Sequence, residues 1–173
     1  MNFSWITDHL AIGGRLPARA AETLASGLRI RAVLDLRLED CDDLALLQSH
    51  GIEFLHLPTE DHCAVSDEML REGVAFTAWH LDRGERVLIH CEHGIGRSAT
   101  LALCVLVQRG HAPLDALSHA KRRRSVLSPS PAQYEAWAVW LRRFRQEAGP
   151  SWQIPPFEAF AEIAYSHLRA EAG

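Results

Sequence analysis

The stretch "RVLIHCEHGIGRSATLALCVLVQ", residues 86–108, decides the fold because a strand, a loop and a helix follow one another in it without interruption. "RVLIH" is a short, nearly continuous apolar run, which is typical of a strand covered on both faces. "SATLALCVLVQ" is apolar almost all round and ends before Gly110, which predicts a buried helix. The loop between them carries a cysteine, two glycines and an arginine.

Four further β-rich segments precede this stretch: "NFSWI", "LAIGG", "RAVLDL" and "IEFLHL". The last two and "RVLIH" are separated by helix-like stretches, and this alternation is typical of α/β proteins. We therefore expect an α/β fold with a mostly parallel central sheet of about four to five strands and helices on both faces. The N-terminal pair of strands would supply an antiparallel edge.

Helical patterns cover 17–26, 42–50 and 67–81, with Ser66 as the N-cap of the third. Two more helices follow, over 113–124 and in "AQYEAWAVWLRRFRQ". After a break at 149–156, the segment "PFEAFAEIAYSHLRAEA" predicts a docked helix whose buried face is shared by Phe157, Phe160, Ala161, Ala164 and Leu168. We expect one domain over residues 1–173, with 150–173 as a C-terminal helical extension.

Length and composition exclude several classes of protein. The chain has 173 residues, 47% of them hydrophobic, which is enough for one well-buried core. A formal net charge of −4 gives no overall attraction to nucleic acid or to an anionic membrane. We found no signal-like segment and no apolar window long enough to span a bilayer. We therefore expect a cytoplasmic monomer that binds neither nucleic acid nor membrane, with reduced thiols.

The loop after "RVLIH" has the chemistry of an anion site. A loop that enters a helix turns its backbone N–H groups inward, and the helix dipole adds partial positive charge there. Gly94 and Gly96 allow the backbone to approach a ligand closely, and the guanidinium of Arg97 matches two phosphate oxygens. The same groups would stabilise Cys91 as a thiolate nucleophile, and the hydroxyl of Ser98 would help that thiolate to leave.

This pattern predicts phosphoryl transfer to sulfur. The residues expected to contact the substrate are those of the loop itself: Glu92, His93, Gly94, Ile95, Gly96 and Arg97. The side chains of Glu92 and His93 are expected to face outward beside the entrance. Nothing in the loop requires a metal, because His90, Cys91 and His93 are neighbours whose side chains should point apart.

The run His90, Cys91, five residues, Arg97 and Ser98 resembles the HCx5R[ST] signature of the cysteine-dependent protein tyrosine phosphatases. The short chain is similar to the dual-specificity branch, and the resemblance extends through "LAIGG", "VLDLR", "LPTED" and "SPSPAQ". It covers roughly residues 3–145. It implies a phosphatase without metal or cofactor that acts on phosphotyrosine, and in this branch often on phosphoserine or phosphothreonine, in phosphorylated proteins or peptides.

The resemblance also implies a general acid on a loop that follows a strand. Asp61, after "IEFLHLPTE", resembles that acid, with Glu60 and Asp67 as competitors. His90 is expected to orient the loop by hydrogen bonding to its backbone. The loop lacks the lysines of the phosphoinositide branch, and Glu92 adds a negative charge, so inositide substrates are disfavoured.

Several alternatives remain open at the level of the sequence. The chain could be a phosphate-binding module without turnover, or an inositide or RNA phosphatase on the same scaffold. The cationic run 121–124 could steer substrates or stabilise the end of a helix. Gln133 could line the site or start a helix. Asp35 and Arg37 are expected to pair structurally, and Cys63 is either a packed loop residue or a partner for Cys91 under oxidation.

Overall fold

The protein is described by a computed structural model that covers residues 1–170. Its strands are β1 (Phe3–Trp5), β2 (Leu10–Gly13), β3 (Ile30–Arg37), β4 (Glu53–Thr59) and β5 (Arg86–His90). A short π-helical turn spans Thr23–Gly27. The helices are α1 (Leu44–Ser49), α2 (Asp67–Asp82), α3 (Arg97–Gln108), α4 (Pro113–Arg123), α5 (Pro131–Ala148), α6 (Phe157–Ala164) and α7 (Ser166–Ala170).

The five strands form one sheet in the order β1-β2-β5-β3-β4. β1 pairs antiparallel with β2, and the other three pairings are parallel. The predicted α/β class, strand number and antiparallel edge are confirmed. Because β3, β4 and β5 run in one direction, the loops at their carboxyl ends meet at one edge of the sheet.

Both faces of the sheet are covered, as the apolar strands predict. On one face the core consists of the sheet residues and α2 to α6, including α3, whose residues Ser98–Val107 are all buried. On the other face α1 and the π-helical turn pack on Val33, Leu88 and their neighbours. No helix among residues 1–170 is long and apolar enough to cross a membrane.

Polar side chains cap the helices and set their first residues. Ser66 accepts a hydrogen bond from the backbone of Met69, which confirms the predicted N-cap of α2. Asp43 caps α1, so that helix is shorter than the predicted range 42–50. The helix predicted over 17–26 begins only at Ala21, because Pro17 opens a turn first.

The C-terminal extension docks as predicted, but it is not one helix. Phe160 is fully buried, and its ring centroid lies 5.0 Å from that of Tyr134 and 5.9 Å from that of Trp137. The helix is interrupted at Tyr165, between α6 and α7. The turn rotates Leu168 outward to 54% exposure, so its predicted place on the buried face is wrong. Residues 171–173 of the predicted extension lie outside the described residues.

Phe160→Ala should lower the free energy of unfolding by about 3 to 5 kcal/mol, because it leaves a cavity in a packed aromatic cluster. Leu168→Ala should change it by less than about 0.5 kcal/mol, because that side chain is mostly exposed. Urea unfolding of both variants beside the wild type measures the difference. Equal losses would show that the extension docks differently.

Candidate active site

The loop over residues 91–97 joins the end of β5 to the start of α3, as the sequence predicts. The thiol of Cys91 is 2% exposed. Its Sγ accepts a hydrogen bond from the backbone N–H of Gly94 at 3.3 Å, and it lies 3.4 Å from the Oγ of Ser98. Gly94 has a φ of 68°, and a Cβ there would collide with the backbone of Gly13, so only glycine fits.

The loop's carbonyl groups point away from the sulfur, and residues 92–96 all find a donor. Arg124 donates from Nε to the carbonyl of Gly94 at 2.6 Å and from Nη2 to that of His93 at 2.9 Å. The remaining donors are Arg15 N for Glu92 O, Ser128 N for Ile95 O, and Thr100 N and Oγ1 for Gly96 O. The backbone of the loop is therefore held from several separate elements.

The guanidinium of Arg97 is buried, and most of its hydrogen-bond donors have partners. Glu39 accepts two hydrogen bonds from it, at 2.8 Å from Nη1 and 2.7 Å from Nη2. Nη1 also donates to the backbone carbonyl of Thr59, and Nη2 lies 3.1 Å from Oδ1 of Asp61. Nε is buried and has no partner among the described residues. An anion beside Cys91 could therefore receive the Nε–H bond without breaking an existing contact.

Opposite charges dominate the electrostatics around Arg97. Its hydrogen bonds hold the pKa of Glu39 at about 2, well below the ordinary value of 4.5. Burial opposes the charge on Arg97, but Glu39, Cys91 and Asp61 together raise the pKa of the guanidinium. Arg97 is thus a fixed cation at the mouth of the loop.

Of the three carboxylates that could serve as the acid, only Asp61 contacts the loop's arginine. Asp67 pairs instead with Arg143 at 3.0 Å, at the start of α2. Glu60 has its Oε2 3.8 Å from the thiol of Cys63. Cys63 is exposed and free, so it is not the packed residue that the sequence suggested.

His90 is anchored differently from the expectation. Its Nε2–H donates to Oδ2 of Asp42 at 2.7 Å, so the predicted bond to loop backbone is wrong. Asp42 and the fully buried Asp35 both pair with Arg37 at 2.8 Å, which confirms the structural role expected for "VLDLR". This network ties the loop after β3 to the base of the cysteine loop.

Two loop residues predicted at the entrance differ in position. The carboxylate of Glu92 turns toward Arg15 and Arg37, at 3.6 and 3.8 Å, and not outward. His93 lines a cavity of about 130 Å³ that includes Cys91 and Gln133. Gln133 completes the capping box of α5, and its amide packs on Gly96, so both alternatives for it hold.

A larger cavity, of about 550 Å³, does not contain Cys91. It lies over Arg37, Asp42 and Leu46, on the far side of the His90 network. Asp35, Asp42 and His90 are close enough together to ligate a metal, as are Asp35, Cys41 and His56. The guanidinium of Arg37 already occupies the carboxylates of these clusters, so they do not fit a divalent cation.

Sequence reasoning missed Glu39 and the two inward-facing members of the run 121–124. Glu39 follows the end of β3, at the edge where the loops converge, and that position was the available signal. Lys121 and Arg124 are 9% and 5% exposed, whereas Arg122 and Arg123 face solvent. The spacing of three residues on a helix could have separated the two faces.

Comparison with known proteins agrees with this geometry. The family model "Dual specificity phosphatase, catalytic domain" matches residues 17–143. The chain is 41% identical over 76 residues to Dual specificity protein phosphatase 2 of Homo sapiens, a match that covers 43% of this chain and 24% of that protein. The chain thus spans about a quarter of the length of the first curated relatives that it matches.

A longer match is to Phosphatidylglycerophosphatase and protein-tyrosine phosphatase 1 of Rattus norvegicus, with 30% identity over 148 residues, or 81% of this chain and 75% of that protein. Among solved structures, PTPMT1 in complex with PI(5)P superposes with a TM-score of 0.79 at 23% identity, covering 84% of this chain and 98% of that one. Tk-PTP in its active form superposes with a TM-score of 0.75 at 28% identity, covering 82% and 97%.

Glu39→Gln should make the free energy of unfolding depend less on pH below about pH 5. The pKa of Glu39 is about 2 in the folded protein and near 4.5 when unfolded, so its contribution is present above pH 4.5 and is lost as pH falls toward 2. Urea unfolding at steps from pH 5 to 2 should show a smaller decline in the variant than in the wild type. Glu22→Gln, at an exposed position, is the control and should decline like the wild type.

Proposed function

The chain belongs to the dual specificity phosphatase family, and from this premise we propose that it hydrolyses phosphomonoesters of proteins through a cysteinyl-phosphate intermediate. Its membership makes it a phosphatase of the cysteine-dependent protein tyrosine phosphatase superfamily, as the HCx5RS run predicts. We also propose that residues 1–173 form a single phosphatase domain.

One observation carries the proposal: a buried sulfur and a buried guanidinium, those of Cys91 and Arg97, lie at the two ends of one loop. Cys91 Sγ has the amide of Gly94 and the hydroxyl of Ser98 within hydrogen-bond reach, which favours the thiolate. Nε–H of Arg97, at the other end of the loop, has no partner in the described part of the chain. This arrangement fits a trigonal bipyramidal phosphoryl group, whose equatorial oxygens gain charge in the transition state.

In the first step the thiolate of Cys91 attacks phosphorus, an S–P bond forms and the bond from phosphorus to the substrate oxygen breaks. Asp61 protonates the departing oxygen, which would otherwise leave as an alkoxide or phenoxide. The contact between Asp61 and Arg97 at 3.1 Å supports this role, because it holds the carboxyl beside the guanidinium that would bind the phosphate, and so near the leaving oxygen.

In the second step water attacks the phosphocysteine and Asp61, now a carboxylate, accepts the proton from that water. The S–P bond breaks, inorganic phosphate leaves and the thiolate returns. Ser98 stabilises the departing sulfur, as its distance of 3.4 Å from Sγ supports. Loop residues 92–97 bind the phosphate through their backbone, while His90 and Asp42 fix the base of the loop.

A protein substrate is favoured by the charges around the site. Glu39 and Asp61 stand at the mouth of the loop, with 41% and 43% of their side chains exposed. These carboxylates repel ligands that carry further negative charge beside the phosphate to be removed. A phosphotyrosine side chain carries no such charge, so it is the preferred substrate, with phosphoserine and phosphothreonine second.

A lipid phosphomonoester is the second candidate, favoured by one observation. The relative from Rattus norvegicus that matches 81% of the chain is named for both phosphatidylglycerophosphatase and protein tyrosine phosphatase activity. A phosphate-binding module without turnover has less support, because such a module needs neither the thiol of Cys91 nor the carboxyl of Asp61.

Cys91→Ser should abolish hydrolysis of phenyl phosphate, because the hydroxyl is a far weaker nucleophile than the thiolate. Asp61→Ala should lower kcat by roughly 10²- to 10⁴-fold, the usual scale of general acid catalysis. Phosphate release measured at pH 6 to 7 checks both. Asp67→Ala is the matched control and should keep wild-type kcat, since Asp67 pairs with Arg143; a large loss there instead would overturn the assignment of the acid.

A panel of substrates, each supplied at the same concentration of phosphate groups, tests the substrate class. A phosphotyrosine peptide should give a higher kcat/KM than vesicles of phosphatidylglycerophosphate or PI(5)P and than 5′-triphosphorylated RNA. Glu92→Lys should raise activity on the anionic lipids relative to the peptide, because it reverses a charge in the loop. Faster hydrolysis of phosphatidylglycerophosphate by the wild type would favour the lipid candidate.

A further inference from the structure

The segment 125–130, "SVLSPS", connects α4 to α5 and is called the bridge segment here. It lies between the two loops that carry the proposed chemistry. The backbone N–H of Ser128 donates to the carbonyl of Ile95, in the cysteine loop, at 3.0 Å. The hydroxyl of Ser130 donates to the carbonyl of His62, next to Asp61, at 2.7 Å. The bridge segment therefore touches both loops at once.

The loop that carries Asp61 also contacts the cysteine loop directly, because Oδ1 of Asp61 lies 3.1 Å from Nη2 of Arg97. His62 adopts a φ of 62°, and its side chain is 85% exposed. Asp61 accepts a hydrogen bond from the amide of His62 at 3.0 Å, so the position of this amide sets that of the carboxyl. A shift of Ser130 would move the carbonyl of His62 and, through the same residue, the carboxyl of Asp61.

The C-terminal helices hold the bridge segment from outside. The phenol of Tyr165, at the break between α6 and α7, donates to the carbonyl of Pro129 at 2.7 Å. The ammonium of Lys121 donates to the carbonyl of Leu127 at 2.7 Å and to that of Ala164, at the end of α6, at 2.6 Å. Tyr165 thus bonds the bridge segment directly to the extension, and Lys121 links Leu127 to Ala164 through one ammonium. The extension lies beyond the family match at residues 17–143.

We propose that Tyr165 is a positioning residue, through which the C-terminal helices hold the bridge segment and so fix Asp61 relative to the cysteine loop. The inference rests on the proposed function, because it takes Asp61 as the acid. The buried side chain of Phe160 is sufficient to complete the core. The hydrogen bond from Tyr165 to Pro129 is not needed for that packing. The phenol reaches that carbonyl from the residue that directly follows α6.

The chain offers a matched control for this role. Tyr134, on α5, also donates its hydroxyl to a carbonyl of the same region, that of Pro155 at 2.8 Å. Its bond secures the linker before α6 and touches no residue of the bridge segment. Tyr165→Phe and Tyr134→Phe therefore each remove one phenol hydroxyl, and with it one hydrogen bond that joins the extension to the rest of the domain, but only the first frees Pro129.

The test compares two substrates with different leaving groups. Tyr165→Phe should lower kcat on phenyl phosphate by about 3- to 10-fold, because misplacing a catalytic group slows the step that uses it. The loss on p-nitrophenyl phosphate should be smaller, since that better leaving group depends less on the acid. KM should change by less than twofold on both, and Tyr134→Phe should keep wild-type kcat with a similar fall in Tm.

A double-mutant cycle with Ser130→Ala tests the route. The quantity compared is the ratio of kcat on phenyl phosphate to kcat on p-nitrophenyl phosphate. If Tyr165 acts through Ser130 and His62, the double variant should have the same ratio as Ser130→Ala alone. Additive losses would mean that Tyr165 acts by another route. Equal kcat values for Tyr165→Phe and Tyr134→Phe on phenyl phosphate would overturn the inference.

The outcome separates this inference from the proposed function. If the wild type hydrolyses neither aryl phosphate, the proposed function fails and the positioning role fails with it. If the wild type is active and Asp61→Ala removes most of that activity while Tyr165→Phe does not alter the substrate ratio, only the positioning role is wrong.

Discussion

The site depends on one constraint of the peptide backbone: when a short loop turns its N–H groups toward a central anion, its carbonyl groups must turn the other way. Each of those carbonyls then needs a donor from elsewhere, since an unpaired buried carbonyl is costly. Here the donors come from the loop after β2, from α3, from Arg124 beyond α4 and from Ser128. The anion cradle is therefore built as much by its surroundings as by its own residues.

The same constraint explains why charged groups are buried around the loop. The guanidinium of Arg124 donates hydrogen bonds to two carbonyls of the loop, and its positive charge lies close to Cys91. Asp42 pairs with Arg37 through Oδ1, and its other oxygen, Oδ2, accepts the hydrogen bond from His90. Burial of so many ions is expensive unless each is paired, and the pairing makes the base of the site rigid.

The strands, the cysteine loop and its helix could be predicted because their signals are local, each lying within about 20 residues of sequence. The partners of the loop could not, since Glu39 and Arg97 are 58 residues apart and Asp42 and His90 are 48 apart. Leu168 was misplaced for a related reason: periodicity assumes an unbroken helix, whereas a tertiary hydrogen bond of Tyr165 accompanies the break.

Lys121 has a consequence for how such a chain can evolve. Its buried ammonium has acceptors from the bridge segment and from α6, and burial lowers its pKa to about 8. A chain without the two last helices would lose the acceptor on Ala164 and keep only the one on Leu127. We therefore expect position 121 and the extension to change together in evolution.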